Sequence, residues 1–248
     1  SANVSPGNDL IDFNIPGTMV HVINVLTQLP PLTDFAGVTI DGLTQVGSTS
    51  GIQPPATATL MIELNGFAAG PSHGLIVVSP NNIIQGLIIN RFEQDGIRIE
   101  GTLSGTYDNL VHCNFLGTDF SGTVDMGNGS TQASPWAGVN ILIGPCGEPL
   151  TCYNNVVDGN LSSGNYAEGV SISNCPPGDV FNNSVINNYL GTDITGMLDL
   201  GNDHDGVYIG EGARDNYVGN NVISGNDYEG VCIMGYVDEF LQIYTHDN

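Results

Sequence analysis

NNVVDGNLS (154–162) and NNSVINNYL (182–190) are two copies of one short pattern, in which apolar and polar residues alternate after an asparagine pair. Three further segments share the pattern: NNIIQGLII (81–89), DNLVHCNFL (108–116) and DNYVGNNVI (215–223). The second residue of every copy is asparagine, and the spacings are 27, 46, 28 and 33 residues between Asn82, Asn109, Asn155, Asn183 and Asn216. Recurrence at spacings of this size indicates a repeat architecture.

A second phrase, G-[VI]-x-I, follows each copy. It occurs as GIRI (96–99), GVNI (138–141), GVSI (169–172), GVYI (206–209) and GVCI (230–233), with a relative, GLIV, at 74–77. Val and Ile favour strands, and Asn and Gly tolerate the left-handed backbone of tight corners. One such unit cannot bury its apolar face, whereas stacked units about 4.8 Å apart can. The sequence therefore predicts an all-β parallel β-helix, with Val and Ile inside and asparagine amides linked at a bend.

The phrases LGTDFSGTVDMGN (116–128) and LGTDITGMLDLGN (190–202) agree at eight of thirteen positions. They fall in the two longest spacings, so they are predicted to be insertions at one corner of alternate coils. An antiparallel sandwich would show closer hairpin signals, and a propeller would show longer, four-stranded repeats. The repeats thus favour a solenoid over both.

The composition limits the classes of partner that this protein can bind. Twenty-six Asp and Glu oppose three Arg, Lys is absent, and the formal net charge is −23, which repels nucleic-acid phosphates and anionic lipid heads. We therefore expect no nucleic-acid partner. No apolar run is long enough to span a bilayer, so we expect no membrane insertion. The repeats predict one domain over 1–248, with N-terminal coils at 1–80, five repeat coils at 81–240 and a C-terminal end at 241–248.

Several features favour an extracellular protein. Cys146 and Cys152 bracket the turn-like GEPLT, which predicts a local disulfide worth about 2 kcal/mol, with zinc binding as the rival interpretation. The pairing of Cys113, Cys175 and Cys232 stays open. SANVSPGND lacks the regions of a signal peptide and is expected to be a mature or trimmed start. N-x-S sequons, which matter only in a glycosylating host, begin at Asn3, Asn128, Asn160 and Asn182.

The chain resembles a class of secreted bacterial right-handed β-helix proteins over roughly residues 9 to 236. The resemblance is carried by the two LGTDxxG phrases and by IDFNIPG (11–17), VTIDG (38–42), IELNG (62–66) and INRF (89–92). It implies a right-handed, pectin-lyase-like solenoid and a structural role as a cell-surface scaffold, fibre or surface-layer subunit, or adhesin. Because pectate lyases and polygalacturonases share this fold, a carbohydrate-active enzyme and a glycan-binding module remain alternatives.

The repeated phrases carry four candidate calcium ligands, Asp119, Asp125, Asp193 and Asp199. Carboxylates in irregular loops suit calcium, yet the spacing matches neither an EF-hand nor a calcium β-roll. The favoured interpretation is that the side chains of Asp119 and Asp193 accept nearby backbone N–H groups and hold turns. Asp125 and Asp199 also depart from the family pattern, in which an apolar residue is expected.

The residues immediately before the G-[VI]-x-I glycine form a second acidic feature. They are Asp95, Ala137, Glu168, Asp205 and Glu229. Stacked coils would place the last three in a carboxylate ladder, in which like charges ~5 Å apart repel by ~1 kcal/mol even in water. Either the side chains splay into solvent, which is favoured, or a cation bridges them.

Asp203, His204 and Asp205 are the candidates for a catalytic site. The resemblance to polygalacturonases fails at the Asn-x-Asp, Gly-His-Gly and Arg-x-Lys elements, none of which occurs, so no catalytic residue is assigned. A structural role is therefore favoured over an enzyme. The outward column of the second strand could instead bind glycans, through Arg98, Asn140, Ser171, Tyr208 and Cys232.

A β-helix has two open ends whose backbone groups can pair with another chain. The helical cap that the family carries before IDFNIPG is missing from this sequence, and LQIYTHDN (241–248) falls where a further coil would begin. Head-to-tail contact between unlike ends need not close. The sequence therefore leaves two outcomes open. One is end-to-end self-assembly, opposed by acidic repulsion between subunits that salt or divalent cations would relieve. The other is a monomer in which short loops or the terminal segments fold over the ends.

Overall fold

The structure, a computed structural model, describes residues 7–130 and 136–235. Within these ranges the chain forms short β-strands and the 3₁₀ helix η1 (Gly42–Thr44). All the strands belong to four sheets, and every strand pairing within them is parallel. A search of the same ranges finds no helix with the length and apolar character needed to cross a bilayer.

The strands are grouped here by sheet and numbered in chain order. Sheet 1 contains β1 (Asp9–Asp12), β3 (Val38–Asp41), β6 (Ile83–Gln85), β10 (Leu110–His112), β14 (Val156–Asp158), β18 (Ser184–Ile186) and β21 (Tyr217–Gly219). Sheet 2 contains β2 (His21–Asn24), β4 (Ile62–Asn65), β7 (Leu87–Asn90), β11 (Phe115–Leu116), β15 (Leu161–Ser162), β19 (Tyr189–Leu190) and β22 (Val222–Ile223). Sheet 3 contains β5 (Leu75–Val77), β8 (Ile97–Glu100), β12 (Val139–Leu142), β16 (Val170–Ser173), β20 (Val207–Gly210) and β23 (Val231–Met234). Sheet 4 contains β9 (Thr106–Tyr107), β13 (Thr151–Tyr153) and β17 (Asp179–Phe181).

The chain visits the sheets in a fixed order and then starts again one layer higher. From β6 to β23 it passes through sheets 1, 2, 3 and, in three coils, sheet 4. Each strand pairs with its counterparts in the coils before and after, so that Val111 lies between Ile84 and Val157. This winding is a parallel β-helix, and the predicted fold class is confirmed. The strands of residues 7–80 belong to the same stack, whereas 241–248 lies outside the described residues.

The core is a set of apolar columns inside the coils. In sheet 1 the inward column is Ile40, Ile84, Val111, Val157 and Val185. In sheet 3 each of β8, β12, β16 and β20 buries two residues of the G-[VI]-x-I phrase completely or almost completely. Burying one such side chain contributes about 1.5–3 kcal/mol. Val and Ile recur at these positions because their stiff β-branched side chains pack well on a pleated strand.

The predicted asparagine ladder exists. In each step an Oδ1 atom accepts both the backbone N–H and the side-chain amide of the asparagine in the preceding coil. Asn155 Oδ1 is 3.2 Å from Asn109 N and 2.8 Å from Asn109 Nδ2. In the same way, Asn183 Oδ1 accepts hydrogen bonds from Asn155 N at 3.0 Å and from Asn155 Nδ2 at 2.9 Å. The amides of the interior members, Asn109, Asn155 and Asn183, are therefore both donors and acceptors to their neighbours in the row.

Two further ladders of the same kind were not predicted. The second lies five residues after the first, at the corner between sheets 1 and 2, and consists of Asn114, Asn160, Asn188 and Asn221. The third lies after sheet 2, where each asparagine follows a glycine, and consists of Asn128, Asn165, Asn202 and Asn226. The constant offset of five and the repeated Gly-Asn pair were the available signals in the sequence.

The ladders also decide which sequons are accessible. Asn128 and Asn160 are fully buried ladder members, so neither can carry a glycan in the folded chain. Asn182 is exposed at a corner with φ 54°, next to the ladder residue Asn183. Asn3 lies outside the described residues. Asn182 is thus the only described sequon open to modification.

Both LGTD phrases are corner insertions, as predicted. Each is closed by an antiparallel bridge, Thr118 to Asp125 in the first and Thr192 to Asp199 in the second. The coil between them has no insertion at this corner. The two loops meet across that gap, where Ile194 N–H donates to the carbonyl of Gly122 at 2.9 Å.

The predicted Cys146–Cys152 disulfide is wrong, because Cys146 pairs with Cys175, 29 residues further on, with a Cα–Cα distance of 5.2 Å. Cys152 lies on β13 and is fully buried, so its thiol faces the core and not the exposed loop of Cys146. The disulfide links successive coils, and a loop of this length contributes about 3–4 kcal/mol in the chain-entropy model. Cys113 is likewise a buried thiol, and burial raises its pKa to about 12, with a smaller contribution from Asp158.

Substitution of Asn155 tests the ladder. Asn155→Ala removes the acceptor of two buried donors on Asn109, and each unsatisfied buried donor costs about 1–3 kcal/mol. We expect a loss of about 3 kcal/mol in the free energy of unfolding, measured as a shift of the denaturant midpoint. Asn14→Ala, at an exposed position, is the matched control and should change stability by less than about 0.5 kcal/mol. Equal stability of the two variants would contradict a structural role for the ladder.

Candidate functional site

A groove of about 650 Å³ runs along the outward face of sheet 3. Its floor includes the predicted outward column, because the strand register places Arg98, Asn140, Ser171, Tyr208 and Cys232 on one line across five coils. In each strand these residues alternate with the buried Val and Ile. The fold therefore fixes the spacing of the groove side chains through the same register that builds the core.

Aromatic and apolar side chains line part of this groove. Trp136, Tyr208 and Tyr228 contribute rings, and Leu142 and Met234 contribute aliphatic surface. Tyr228 is 63% exposed and lies against His204, with ring centroids 4.5 Å apart. The sequence pattern gave no place for Tyr228, because this residue lies in a corner and not in a strand phrase.

The carboxylate ladder of Glu168, Asp205 and Glu229 forms one wall of the groove. The prediction that these side chains extend into solvent is wrong for two of them. Glu168 and Asp205 are each only 4% exposed, whereas Glu229 is exposed. Their backbones explain the stacking, since the carbonyls of Glu168, Asp205 and Glu229 each accept the N–H of the glycine that begins the neighbouring phrase. Because the next coil covers Glu168 and Asp205, these two side chains do not extend into solvent.

Asp95 occupies the equivalent position two coils before Glu168; it is fully buried, and its neighbours compensate its charge. Its Oδ2 lies 3.3 Å from Arg98 Nη1 and 3.1 Å from His73 Nδ1. Its Oδ1 accepts the N–H of Ala137 at 2.8 Å. Arg98 Nε also lies 2.8 Å from a carboxylate oxygen of Glu100, so this arginine belongs to an ion-pair network with Asp95 and Glu100.

The carboxylate of Glu168 has fewer hydrogen-bond donors and cations around it than that of Asp95. Its Oε1 lies 3.4 Å from His204 Nδ1, and its buried Oε2 has no hydrogen-bond partner in the described part of the chain. Burial raises the pKa of Glu168; its own backbone N–H and His204 oppose the rise, and Asp205 and Asp95 reinforce it. The groove thus contains an acidic group that is held in a low-dielectric wall next to a histidine.

The structure brings together two of the three catalytic candidates. His204 and Asp205 line the groove beside Glu168. Asp203 does not line it; burial raises its pKa, and the charge of Asp227 reinforces that rise. Asp203 and Asp205 therefore do not both line the groove. The carboxylate that lies beside Asp205 is that of Glu168, from the neighbouring coil.

The four calcium candidates hold the turns of the two insertions. Asp119 accepts the hydroxyl of Ser121 and the N–H groups of Thr123 and Val124. Asp193 accepts Thr195 Oγ1 at 2.7 Å and the N–H groups of Met197 and Leu198 at 3.2 and 3.1 Å.

Asp125 and Asp199 each accept one N–H group, from Gly127 and Gly201 respectively. The favoured turn interpretation is therefore confirmed for Asp119 and Asp193, and Asp125 and Asp199 have a similar, smaller role. A calcium role for them stays a prediction.

Three comparisons with known proteins return no match for the chain: with protein-family models, with curated proteins and with solved structures. A parallel β-helix hosts several unrelated functions, so the fold alone selects none of them. Function has to be inferred from the groove and its side chains.

Substitution of Asp193 separates the turn role from calcium binding. Burial alone would raise the pKa of Asp193, but hydrogen bonds from Thr195 and from the N–H groups of Leu198 and Met197 lower it below its usual value of 3.8. A lowered folded-state pKa contributes stability above the unfolded pKa, and this contribution is lost as the pH falls through the folded pKa. Asp193→Asn should therefore cost about 1–2 kcal/mol at pH 7 and progressively less in acid.

The measurement is thermal melting across pH, with chelator and with millimolar calcium. A turn role predicts the same loss of stability in both solutions, and the exposed Asp12→Asn should show no loss. If calcium stabilises the parent protein and Asp193→Asn abolishes that effect, the carboxylate is a calcium ligand.

Proposed function

We propose that this protein is an extracellular structural β-helix of the adhesin type, a stiff rod that binds saccharides in the groove of sheet 3. The observation that carries the proposal is the combination, on one face, of the exposed ring of Tyr228 and the half-buried rings of Trp136 and Tyr208 with buried and half-buried polar groups. Ligand sites typically pair such apolar surfaces with a few fixed polar groups.

Saccharide chemistry suits this groove. A sugar ring presents C–H faces that pack on aromatic rings, such as Tyr208 and Tyr228, and hydroxyls that bond to amides and carboxylates. Asn140 and Ser171 supply short polar groups along the floor. Because the net charge is −23, acidic polysaccharides are repelled, and neutral or amino-sugar glycans are the favoured ligands.

An extracellular setting is supported by two observations. The Cys146–Cys175 disulfide is of a kind that persists in oxidising compartments. The resemblance to secreted bacterial β-helix proteins agrees with it, and we propose membership of that class. The rod character is supported by the continuous core and by the three asparagine ladders, which link successive coils between Asn82 and Asn226.

Glycan binding can be tested with an array of neutral, amino-sugar and acidic glycans, followed by titration of the ligands that bind. Tyr208→Ala and Tyr228→Ala should each weaken binding roughly three- to tenfold, because each removes one stacking surface. Tyr217→Ala is the matched control, since Tyr217 is 59% exposed but lies on sheet 1.

Binding that is unchanged in both groove variants, or no binding to any glycan, would refute the saccharide proposal. Release of new reducing ends from a bound glycan would instead place the protein among the carbohydrate-active enzymes. In that case Asp205 and Glu168 would be the first residues to substitute.

We also propose that the rods associate end to end through a second copy of this chain. Within the described residues, β1 and β2 are edge strands at one end, and β21, β22 and β23 are edge strands at the other. At the second end, Val231 and Ile233 continue the core columns of sheet 3 and are exposed. At the first end, Ile11 and Ile23 continue the core columns of sheets 1 and 2 and are only partly buried. Strand edges of this kind pair readily with other strands.

Light scattering and electron microscopy across a salt series test the assembly. We expect oligomers that grow with salt, because screening relieves repulsion between acidic subunits. Ile233→Glu should suppress them, whereas Leu103→Glu, at a 72% exposed position away from both ends, should not. A monomer at high concentration in every salt condition would refute the proposal.

A further inference from the structure

We propose that Glu168, His204 and Asp205 bind a divalent transition-metal cation of the zinc type in the wall of the groove. A carboxylate oxygen of Glu168, a ring nitrogen of His204 and a carboxylate oxygen of Asp205 lie within 4.8 Å of one another. The three residues come from two adjacent coils, and the coil register holds Glu168 beside Asp205.

The spacing of the donor atoms suits one cation. His204 Nδ1 and Glu168 Oε1 are 3.4 Å apart, which is longer than an ordinary N–H···O hydrogen bond. A tetrahedral cation with bonds of about 2.0–2.2 Å holds its ligand atoms roughly 3.4 Å apart. The separation is therefore the one expected for two ligands of the same ion.

Glu168 provides a second, independent observation. It is 4% exposed, and its Oε2 is a buried acceptor with no hydrogen-bond partner in the described ranges. Leaving a buried carboxylate oxygen unsatisfied is costly, and it is usually offset by a cation or by donors. A metal ion bound by Glu168 through Oε1, the oxygen next to His204, would compensate the charge of this carboxylate.

The surroundings offer little other positive charge. The chain has no lysine, and Arg98, the arginine that lines the groove, is engaged by Asp95 and Glu100. Two buried carboxylates thus share one neighbouring histidine. Because a buried uncompensated charge destabilises a fold strongly, a divalent cation is the complementary partner for this cluster.

The donor types select the class of metal. Calcium takes six to eight oxygen ligands, whereas imidazole nitrogen favours zinc and its neighbours in the first transition row. A second cluster, Asp205, Glu229 and Cys232, shares Asp205 and adds a thiol beside the first cluster. Soft and borderline donors next to carboxylates therefore favour Zn²⁺ over Ca²⁺ here.

Other contacts position the ligands. The ring of Tyr228 packs against His204, and Asp205 Oδ1 accepts the N–H of Glu229 at 2.9 Å. The side chain of His204 is 48% exposed, which leaves access from the groove. Ligands that are held in this way by their surroundings lose little freedom on binding a metal.

The inference goes beyond saccharide recognition and does not rest on it. Metal binding is measured without any glycan, by isothermal titration of metal-stripped protein with Zn²⁺ and, separately, with Ca²⁺. We expect one saturable Zn²⁺ site, a rise in Tm with Zn²⁺, and much weaker binding of Ca²⁺.

Glu168→Gln and His204→Asn should each weaken Zn²⁺ binding by about tenfold or more. The matched control is His112→Asn, because His112 Nδ1 lies 3.2 Å from a carboxylate oxygen of Asp158 in another half-exposed pair. Tyr217→Ala, outside the groove, should likewise leave Zn²⁺ binding unchanged.

Several results would overturn the proposal. They are the absence of a saturable Zn²⁺ site, Zn²⁺ binding that survives both ligand substitutions, and equal binding of Zn²⁺ and Ca²⁺. His204 is half-exposed, so His204→Asn keeps the test valid even where Glu168→Gln impairs folding. Loss of Zn²⁺ binding in the His112→Asn control would also count against the site.

Discussion

The structure depends on one hydrogen-bonding arrangement, in which an asparagine oxygen accepts two N–H groups from the asparagine of the preceding coil. A buried amide with no partner would be costly, so each coil has to return an asparagine to the same corner. Three ladders impose this condition at three corners of the coil. Insertions can therefore lengthen a coil only between the ladders, which is where the LGTD phrases are found.

The same register produces the groove. Residues 37 positions apart in sequence, Glu168 and Asp205, become neighbours because the glycines that follow them occupy equivalent places in successive coils. Their chemistry is thus a property of the stack and not of any single segment. The corner before the sheet 3 strand carries a carboxylate in successive coils, and the coil that follows covers this carboxylate in the case of Glu168 and of Asp205.

Much of the fold could be predicted from the sequence, because a repeated coil appears in the sequence as a repeated spacing of similar residues. The strand phrases, the first asparagine ladder and the outward column through Tyr208 all follow from spacing alone. Burial did not follow, since whether Glu168 is exposed depends on the coil that covers it. The disulfide failed for a related reason: Cys152 is nearest to Cys146 in sequence, but the alternation of β13 turns its side chain into the core.

The disulfide has a mechanical consequence. A stack whose coils contact only their neighbours unravels from an end, one coil after another, when its two termini are pulled apart. The Cys146–Cys175 bond lies across two adjacent coils, and the 29-residue segment it closes cannot extend under that tension. At about 3.5 Å per residue, roughly 100 Å of contour is withheld until the bond is reduced. The redox state of the surroundings would therefore set how far the rod stretches under load.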